Sequence, residues 1–224
     1  MTGNRGNLLP VYVLADESGS MAPYIGQLND GLAALHEALL GEPMAAAKVR
    51  FSILGFAEDV QERLSLADLR REGQLPTLHP RGYTNYGKAF AALRQRIPEN
   101  VGALKAEGFQ VHRPAVFFLS DGQPSTGGWE QEYAQLINRG VVAAAPNIIA
   151  CGIGEVEPST ILHVATEQNY AFVAMEGVDL GSAIAEFCTA LTKSIVESGR
   201  SLGSAQPELV VQQPEGFRMA IDVV

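Results

Sequence analysis

Two kinds of hydrophobic pattern alternate along the chain. Short apolar runs, rich in β-branched and aromatic residues, predict strands, and almost unbroken runs are typical of strands buried on both faces of a parallel sheet. Between these runs, apolar residues recur every three or four positions, which predicts amphipathic helices. The predicted strands are Leu8–Ala15, Val49–Phe56, Ala115–Ser120, Asn147–Ile153 and Tyr170–Met175.

Helix-breaking residues set the expected ends of the helices. Apolar side chains within Ile25–Leu39 share one face, and the pattern stops before Gly41. A second helix, Tyr86–Ile97, is expected to end where it does because Pro98 follows. The other predicted helices are Trp129–Asn138, Thr160–Gln168 and Leu180–Glu197.

This alternation of strands and helices indicates one α/β domain. We expect a doubly wound, Rossmann-like fold with a mostly parallel central sheet, helices on both faces, and Asp59–Leu66 as one antiparallel edge strand. We place this domain at residues 1–198 and a polar C-terminal tail at residues 199–224. Within the tail, Val210–Gln213 and Met219–Val224 are expected to form short strands at most, and the pattern does not decide whether the tail packs on the domain.

Composition excludes several classes of protein. Hydrophobic residues make up 46% of the 224 residues, which is enough for a sizeable core. The net charge of −9 argues against nucleic-acid binding, because binding to phosphates requires clustered basic residues. Cys151 and Cys188 are the only cysteines, so a disulfide scaffold is excluded. No apolar run reaches the ~18 residues of a membrane span, and no signal peptide is recognisable. We therefore expect a cytoplasmic protein that does not enter a membrane.

Residues with oxygen ligands cluster where the predicted strands end. The first strand leads into the run Asp16-Glu17-Ser18-Gly19-Ser20, the third is followed by Asp121, and Thr84 precedes the second helix. Ligands of open α/β sheets bind at the carboxyl ends of the strands. Hydroxyl and carboxylate oxygens suit Mg²⁺ or Mn²⁺, and no histidine or thiol lies nearby in the sequence. The sequence predicts a metal site formed by Asp16, Ser18, Ser20, Thr84 and Asp121.

Each of these residues also has an ordinary structural interpretation. Asp16 and Asp121 are of a type that is common in turns and helix caps, and Thr84-Asn85 would serve equally well as the cap of the helix that follows. All five residues together, each at the end of a predicted element, favour the metal site over five unrelated turns.

This set of residues resembles the metal-ion-dependent adhesion site of the von Willebrand factor type A family, which combines D-x-S-x-S with a distant threonine and a distant aspartate. The resemblance implies that Ser18 and Ser20 bind Mg²⁺ directly, that Thr84 does so directly or through water, and that Asp16 and Asp121 act through bound water. Mn²⁺ and Ca²⁺ are alternative ions.

The resemblance covers about residues 8 to 197 and implies a non-enzymatic module that binds protein partners. In such a module, an Asp or Glu carboxylate of the partner completes the coordination of the metal. Within the family, the chain is similar to the small stand-alone bacterial proteins of the TerY-like group, which is associated with tellurium resistance. This finer resemblance implies a Ser/Thr kinase or a metal-dependent phosphatase as partner, in a stress-response or signalling complex.

An enzymatic alternative rests on Gly82–Lys88, which matches the phosphate-binding pattern G-x-x-x-x-G-K. This alternative is a Mg²⁺-dependent phosphoryl-transfer or hydrolytic enzyme. Ala89 argues against it, because a hydroxyl at that position normally binds the Mg²⁺. The segment directly before the stretch, Leu75–Arg81, contains two prolines and is not predicted to be a strand. We therefore expect no enzymatic activity.

Four aromatic residues lie near the predicted site in the sequence: Tyr24, Tyr83, Tyr86 and Trp129. Aromatic residues are enriched at the centres of protein interfaces, so these four are candidates for a binding rim. Packing at the starts of helices explains Tyr24 and Tyr86 equally well, and the sequence favours neither interpretation.

Overall fold

An eight-stranded sheet forms the centre of the computed structural model, which describes residues 5–220. The strands are β1 Asn7–Asp16, β2 Val49–Phe56, β3 Val60–Ala67, β4 Gln110–Val111, β5 Ala115–Ser120, β6 Asn147–Gly152, β7 Ala171–Ala174 and β8 Phe217–Met219. The α-helices of this part of the chain are α1 Ile25–Leu40, α2 Pro43–Ala46, α3 Tyr86–Ala106, α4 Trp129–Ile137, α5 Pro158–Val164 and α6 Leu180–Ser201. Every strand and helix predicted between Leu8 and Glu197 is therefore present. Their ends shift by a few residues, except that the second helix, α3, runs well past its expected end.

The sheet is mostly parallel, as the sequence predicts. Its order is β3-β2-β1-β5-β6-β7-β8, with the short β4 beside the start of β1. The predicted edge strand β3 is antiparallel to β2. The other edge strand, β8, is antiparallel to β7, and the short strand expected at Met219–Val224 overlaps it only at Met219. The sheet therefore has an antiparallel strand at each edge.

Helices cover both faces of the sheet because the strand side chains point alternately to the two faces. On one face, Leu28 and Leu32 of α1 pack with Phe187 of α6. On the other face, Phe90 of α3 packs with Trp129 of α4 and with residues of α5. Both faces of β1 are buried, which explains the unbroken apolar run in its sequence.

The expected end of the second helix at Ile97 is wrong. Helix α3 contains Pro98 and continues to Ala106. A proline inside a helix removes one backbone hydrogen bond and costs ~3 kcal/mol or more. The turns beyond it bury Val101 and Leu104 against the core, and this burial offsets the loss.

The segment after α6 returns along that helix. Ser198 Oγ, on α6, accepts a hydrogen bond from Val210 N at 2.9 Å, and Ser194 Oγ accepts one from Gln212 N at 2.9 Å. Phe217 of β8 is then buried in the core. The expected strand Val210–Gln213 is not formed, and residues 221–224 of the expected strand Met219–Val224 lie outside the described residues. No helix within residues 5–220 is long and apolar enough to cross a membrane.

Candidate metal centre

Two neighbouring strands end at the predicted site. β1 ends at Asp16 and β5 ends at Ser120, and these strands pair in parallel with Ala15 opposite Leu119. Asp121 follows β5 directly, so both predicted carboxylates lie at the carboxyl edge of the sheet. This is the edge at which open α/β sheets bind their ligands.

A chain of hydrogen bonds connects four of the five predicted residues. Asp16 Oδ1 accepts a hydrogen bond from Ser18 N at 2.8 Å, which fixes the turn that leaves β1. The hydroxyls of Ser18 and Ser20 are 3.0 Å apart, and Ser20 Oγ donates to Asp121 Oδ1 at 2.8 Å. The other oxygen of Asp16, Oδ2, accepts from Ser120 Oγ at 2.6 Å. The structure thus brings residues about 100 positions apart into one cluster of oxygens.

Thr84 lies on a loop that is bound to the same turn. Gly19 N donates to Gly82 O at 3.0 Å, which places this loop against the turn after β1. The carbonyl of Thr84 accepts from Ser125 N at 2.9 Å, which connects the loop to the segment after Asp121. Thr84 itself is buried. Within the described part of the chain, no hydrogen bond joins its side chain to the other four predicted residues.

The two carboxylates are buried without a basic partner. Burial raises the pKa of Asp16 to about 6 and also raises the pKa of Asp121. Neither residue takes part in an ion pair among residues 5–220. A buried negative charge is unfavourable unless a positive charge or hydrogen bonds compensate it. The cluster therefore fits a bound cation, which would supply the missing positive charge.

The donor atoms indicate which kind of cation fits. The cluster combines serine hydroxyls with two carboxylates, and hard cations such as Mg²⁺, Mn²⁺ and Ca²⁺ prefer oxygen ligands. Over the described ranges, no group of three or more His, Cys, Asp or Glu residues is arranged to hold a metal. The candidate site is therefore one that depends on hydroxyl oxygens as well as on carboxylates.

A third buried carboxylate, next to the site, escaped the sequence analysis. Glu17 is fully buried, and its oxygens accept hydrogen bonds from Arg63 at 3.0 Å and from Arg81 at 2.7 Å. Gly55 leaves room for it, because a Cβ at that position would overlap the Glu17 carboxyl group where it lies. Arg81 lies just before Gly82 on the loop that carries Thr84, so this ion cluster holds the loop in place. No local pattern could reveal it, because the partners are 46 and 64 positions away.

The stretch Gly82–Lys88 does not form a phosphate-binding loop. Asn85 Oδ1 accepts the hydrogen bond of Lys88 N at 3.0 Å and caps helix α3, so this backbone N–H is not free for a phosphate. The preceding strand, β3, already ends at Ala67. The helix cap is therefore Asn85, and the side chain of Thr84 is not needed for it.

The aromatic residues separate into two groups. Tyr86 and Trp129 are buried and their rings contact each other with centroids 5.7 Å apart, while Tyr24 packs partly buried against the core. Tyr86 Oη also donates to Gly122 O at 2.8 Å and so supports the loop after β5. Only Tyr83, which is 49% exposed, remains as a candidate for a binding rim among these four residues.

Half of the chain matches the model of a known protein family. The model of the von Willebrand factor type A domain matches residues 11–123, which is half of the chain and includes all five predicted site residues. The chain belongs to the von Willebrand factor type A domain family. No curated protein sequence matches it significantly.

Solved structures share the von Willebrand factor type A fold with this chain. Proximal thread matrix protein 1 from the mussel byssus is 18% identical, with a TM-score of 0.57 over 89% of this chain and 49% of that one. Another structure of that protein, 17% identical with a TM-score of 0.58 over 86% of this chain and 48% of that one, has a zinc-occupied metal-ion-dependent adhesion site motif. The pilus adhesin SpaC from Lactobacillus rhamnosus GG is 11% identical, with a TM-score of 0.65 over 88% of this chain and 31% of that one. The chain spans about half or less of the length of these proteins.

Proposed function

We propose that this von Willebrand factor type A domain is a metal-dependent module for binding protein partners. Asp16, Ser18, Ser20, Thr84 and Asp121 hold a divalent cation, with Mg²⁺ as the expected ion. The observation that carries this proposal is the pair of buried carboxylates, Asp16 and Asp121, that share one hydroxyl chain and have no basic partner.

The neighbouring residue supports this interpretation by contrast. Glu17 is buried as deeply as Asp16, but Arg63 and Arg81 compensate its charge. For Glu17, the fold itself thus supplies the positive charge that compensates the buried carboxylate. Asp16 and Asp121 lack such partners at the edge of the sheet where ligands bind, which supports a cation from solution as their counter-charge.

The donor set also leaves room for a partner. Mg²⁺ prefers about six oxygen ligands. Protein atoms fill only part of these positions, through the hydroxyl oxygens of Ser18, Ser20 and Thr84. Waters held by the two carboxylates fill others, which leaves room for a ligand from a partner. An Asp or Glu carboxylate from a partner protein is the ligand that suits the remaining position, because it adds the negative charge that a divalent ion attracts.

The cellular setting is a proposal that rests on the resemblance to the TerY-like group. We propose a cytoplasmic bacterial complex of stress response or signalling, with a Ser/Thr kinase or a metal-dependent phosphatase as the partner. The module itself is proposed to be non-enzymatic. The site geometry does not favour phosphoryl transfer at Gly82–Lys88, since the backbone N–H of Lys88 already has an acceptor.

Isothermal titration calorimetry with Mg²⁺ tests the cation site. The variants Asp16→Asn and Asp121→Asn keep the size of each side chain but remove one charge, and we expect both to lose measurable Mg²⁺ binding. Asp30→Asn is the matched control, because Asp30 is exposed on α1, away from the strand ends, and should leave the affinity unchanged. Equal affinities in all three variants and the wild type would show that these carboxylates do not hold the ion.

Capture of a partner tests the second part of the proposal. The purified protein is immobilised and exposed to lysate of its source cells, once with Mg²⁺ and once with EDTA, and bound proteins are identified by mass spectrometry. We expect a kinase or a phosphatase to be captured with Mg²⁺ only, and not by Asp16→Asn. Capture that persists in EDTA would contradict a metal-bridged contact, even if calorimetry confirms the cation site.

A further inference from the structure

A cleft of about 480 Å³ lies at the opposite edge of the sheet from the candidate metal centre. Its first wall is the end of helix α3, from Pro98 to Lys105. The second wall is Val111–Pro114, which leads into β5, and the third is Val141–Ala144, which precedes β6. The cleft therefore lies at the amino ends of β5 and β6, whereas Asp16 and Asp121 lie at the carboxyl ends of the strands.

Hydrogen bonds hold the walls of this cleft in place. Asn147 N donates to Pro114 O at 2.8 Å, and the Arg113 guanidinium donates to Ala145 O, so the second and third walls are joined directly. His112 N donates to Leu8 O at 2.8 Å, which fixes the second wall to the start of β1. The space is thus part of the folded structure, with helix α3 on one side and two hydrogen-bonded loop segments on the others.

The cleft is basic although the protein as a whole is acidic. Lys105, His112 and Arg113 line it, and no Asp or Glu is among the lining residues. The pKa of the Arg113 guanidinium is lowered, first by burial and second by the nearby positive charge of Arg139. Positive charge therefore accumulates here in a chain whose net charge is −9.

The basic residues of the cleft also lack carboxylate partners. Within residues 5–220, no ion pair involves Lys105 or Arg113. Other basic residues at the same edge are paired, as Arg5 is with Glu107 and Arg50 with Asp68. No carboxylate of the described residues therefore neutralises Lys105 or Arg113, and both can interact with an anion from solution.

Apart from Lys105, His112 and Arg113, the side chains that line the cleft are apolar. Pro98, Val101 and Val142 contribute hydrocarbon surface. The Nε2 atom of His112 is buried and has no hydrogen-bond partner. Burial lowers the pKa of His112, so its ring is neutral near pH 7 and does not add to the positive charge of the cleft.

We propose that this cleft binds a small organic anion that carries an apolar body. The apolar body contacts Pro98, Val101 and Val142, and the anionic group interacts with Lys105 and Arg113. The volume lies in the range of small-molecule sites, which is roughly 300–1,000 Å³. This inference does not depend on the metal site, and either one stands if the other fails.

Fluorescence titration with 8-anilinonaphthalene-1-sulfonate tests the proposal, because this probe combines aromatic rings with one negative charge. N-phenyl-1-naphthylamine has the same rings without the sulfonate and is the neutral comparison. Lys105→Gln and Arg113→Gln should each raise the dissociation constant of the anionic probe about tenfold, the effect expected for one charge-assisted hydrogen bond. Lys88→Gln is the matched control, because Lys88 is exposed at the other end of α3.

Gly102 provides a variant that blocks the cleft without unfolding the protein. It lies on α3, lines the cleft, and a Cβ at this position would meet no atom within 4 Å. Replacing a glycine inside a helix also stabilises the helix. We expect Gly102→Met to fill the cleft and abolish binding of the anionic probe, and Gly102→Ala to retain it.

The outcomes are decisive in both directions. Binding of the anionic probe that weakens in Lys105→Gln and Arg113→Gln and disappears in Gly102→Met supports the proposal. The proposal is overturned if the wild type does not bind the probe, if these variants bind it as the wild type does, or if the neutral probe binds equally well. Far-UV circular dichroism of each variant shows whether a loss of binding arises from unfolding.

Discussion

Replacement of Glu17 by glutamine is expected to destabilise the protein strongly, although Glu17 is not one of the proposed metal residues. The carboxylate is completely buried and accepts hydrogen bonds from Arg63, from Arg81 and from His79 N. Glutamine has nearly the same size but no charge, and its amide nitrogen would point a donor toward groups that are themselves donors. The substitution therefore leaves two arginines without their common counter-charge.

The size of the effect follows from the exposure of the partners. Removal of one member of a buried ion pair typically costs about 3–5 kcal/mol. The side chains of Arg63 and Arg81 are 19% and 13% exposed, so water compensates them in part. We therefore expect the lower end, about 3 kcal/mol, which is a large part of the 5–15 kcal/mol by which domains are usually stable.

Urea unfolding measures this loss. The single tryptophan, Trp129, is buried among aromatic rings and reports unfolding by fluorescence, with far-UV circular dichroism as the second probe. Glu132→Gln is the matched control, because Glu132 pairs with Arg94 at 3.1 Å but both side chains are about a third exposed. Such an exposed pair contributes less than about 1 kcal/mol.

A difference below about 1 kcal/mol between Glu17→Gln and Glu132→Gln would refute this reasoning, since it would show that the buried cluster contributes no more than a surface pair. The cluster also holds the loop that carries Thr84, through Arg81. We therefore expect Glu17→Gln to weaken Mg²⁺ binding as well, although Glu17 is not proposed to touch the ion.

Three further predictions follow from burial. Folding raises the pKa of Asp16 to about 6, against an ordinary value near 4. Protonated Asp16 therefore contributes to the stability of the metal-free protein, and this contribution is complete below pH 4. That contribution is lost as the pH rises through 6, by up to about 3 kcal/mol, and urea unfolding in EDTA at several pH values should show the loss for the wild type but not for Asp16→Asn. Burial raises the pKa of the Cys188 thiol to about 12 and also raises the pKa of the Cys151 thiol, so neither should react with a thiol reagent at pH 8 until urea unfolds the protein. Gly55→Ala places a methyl group against the Glu17 carboxyl and should cost about 1–3 kcal/mol in the same unfolding assay, whereas no loss would mean that the carboxyl can move aside.

Much of this protein is determined locally by its sequence. The unbroken apolar run of β1 and the helical spacing within Ile25–Leu39 predict their elements because burial favours one face or both faces of a regular element. The run Asp16-Glu17-Ser18-Gly19-Ser20 predicts oxygen ligands in a turn at a strand end, and the structure places four of the five predicted residues in one hydrogen-bonded chain.

The tertiary structure decided what depends on residues far apart in the sequence. Pro98 remains inside α3 because Val101 and Leu104 are buried beyond it, and no local rule contains that burial. Tyr86 is a core residue rather than a rim residue because Phe56 of β2 and Phe118 of β5 pack against its ring.

Glu17 shows the same principle most clearly. Its structural role depends on Arg63 and Arg81, which contact it only when the sheet and the following loop have folded. Hydrophobic periodicity reflects which face of an element is buried, so it can be recognised within a single segment of the sequence. An ion pair between distant segments produces no periodic pattern in the sequence, and only the folded arrangement of the strands brings its two residues together.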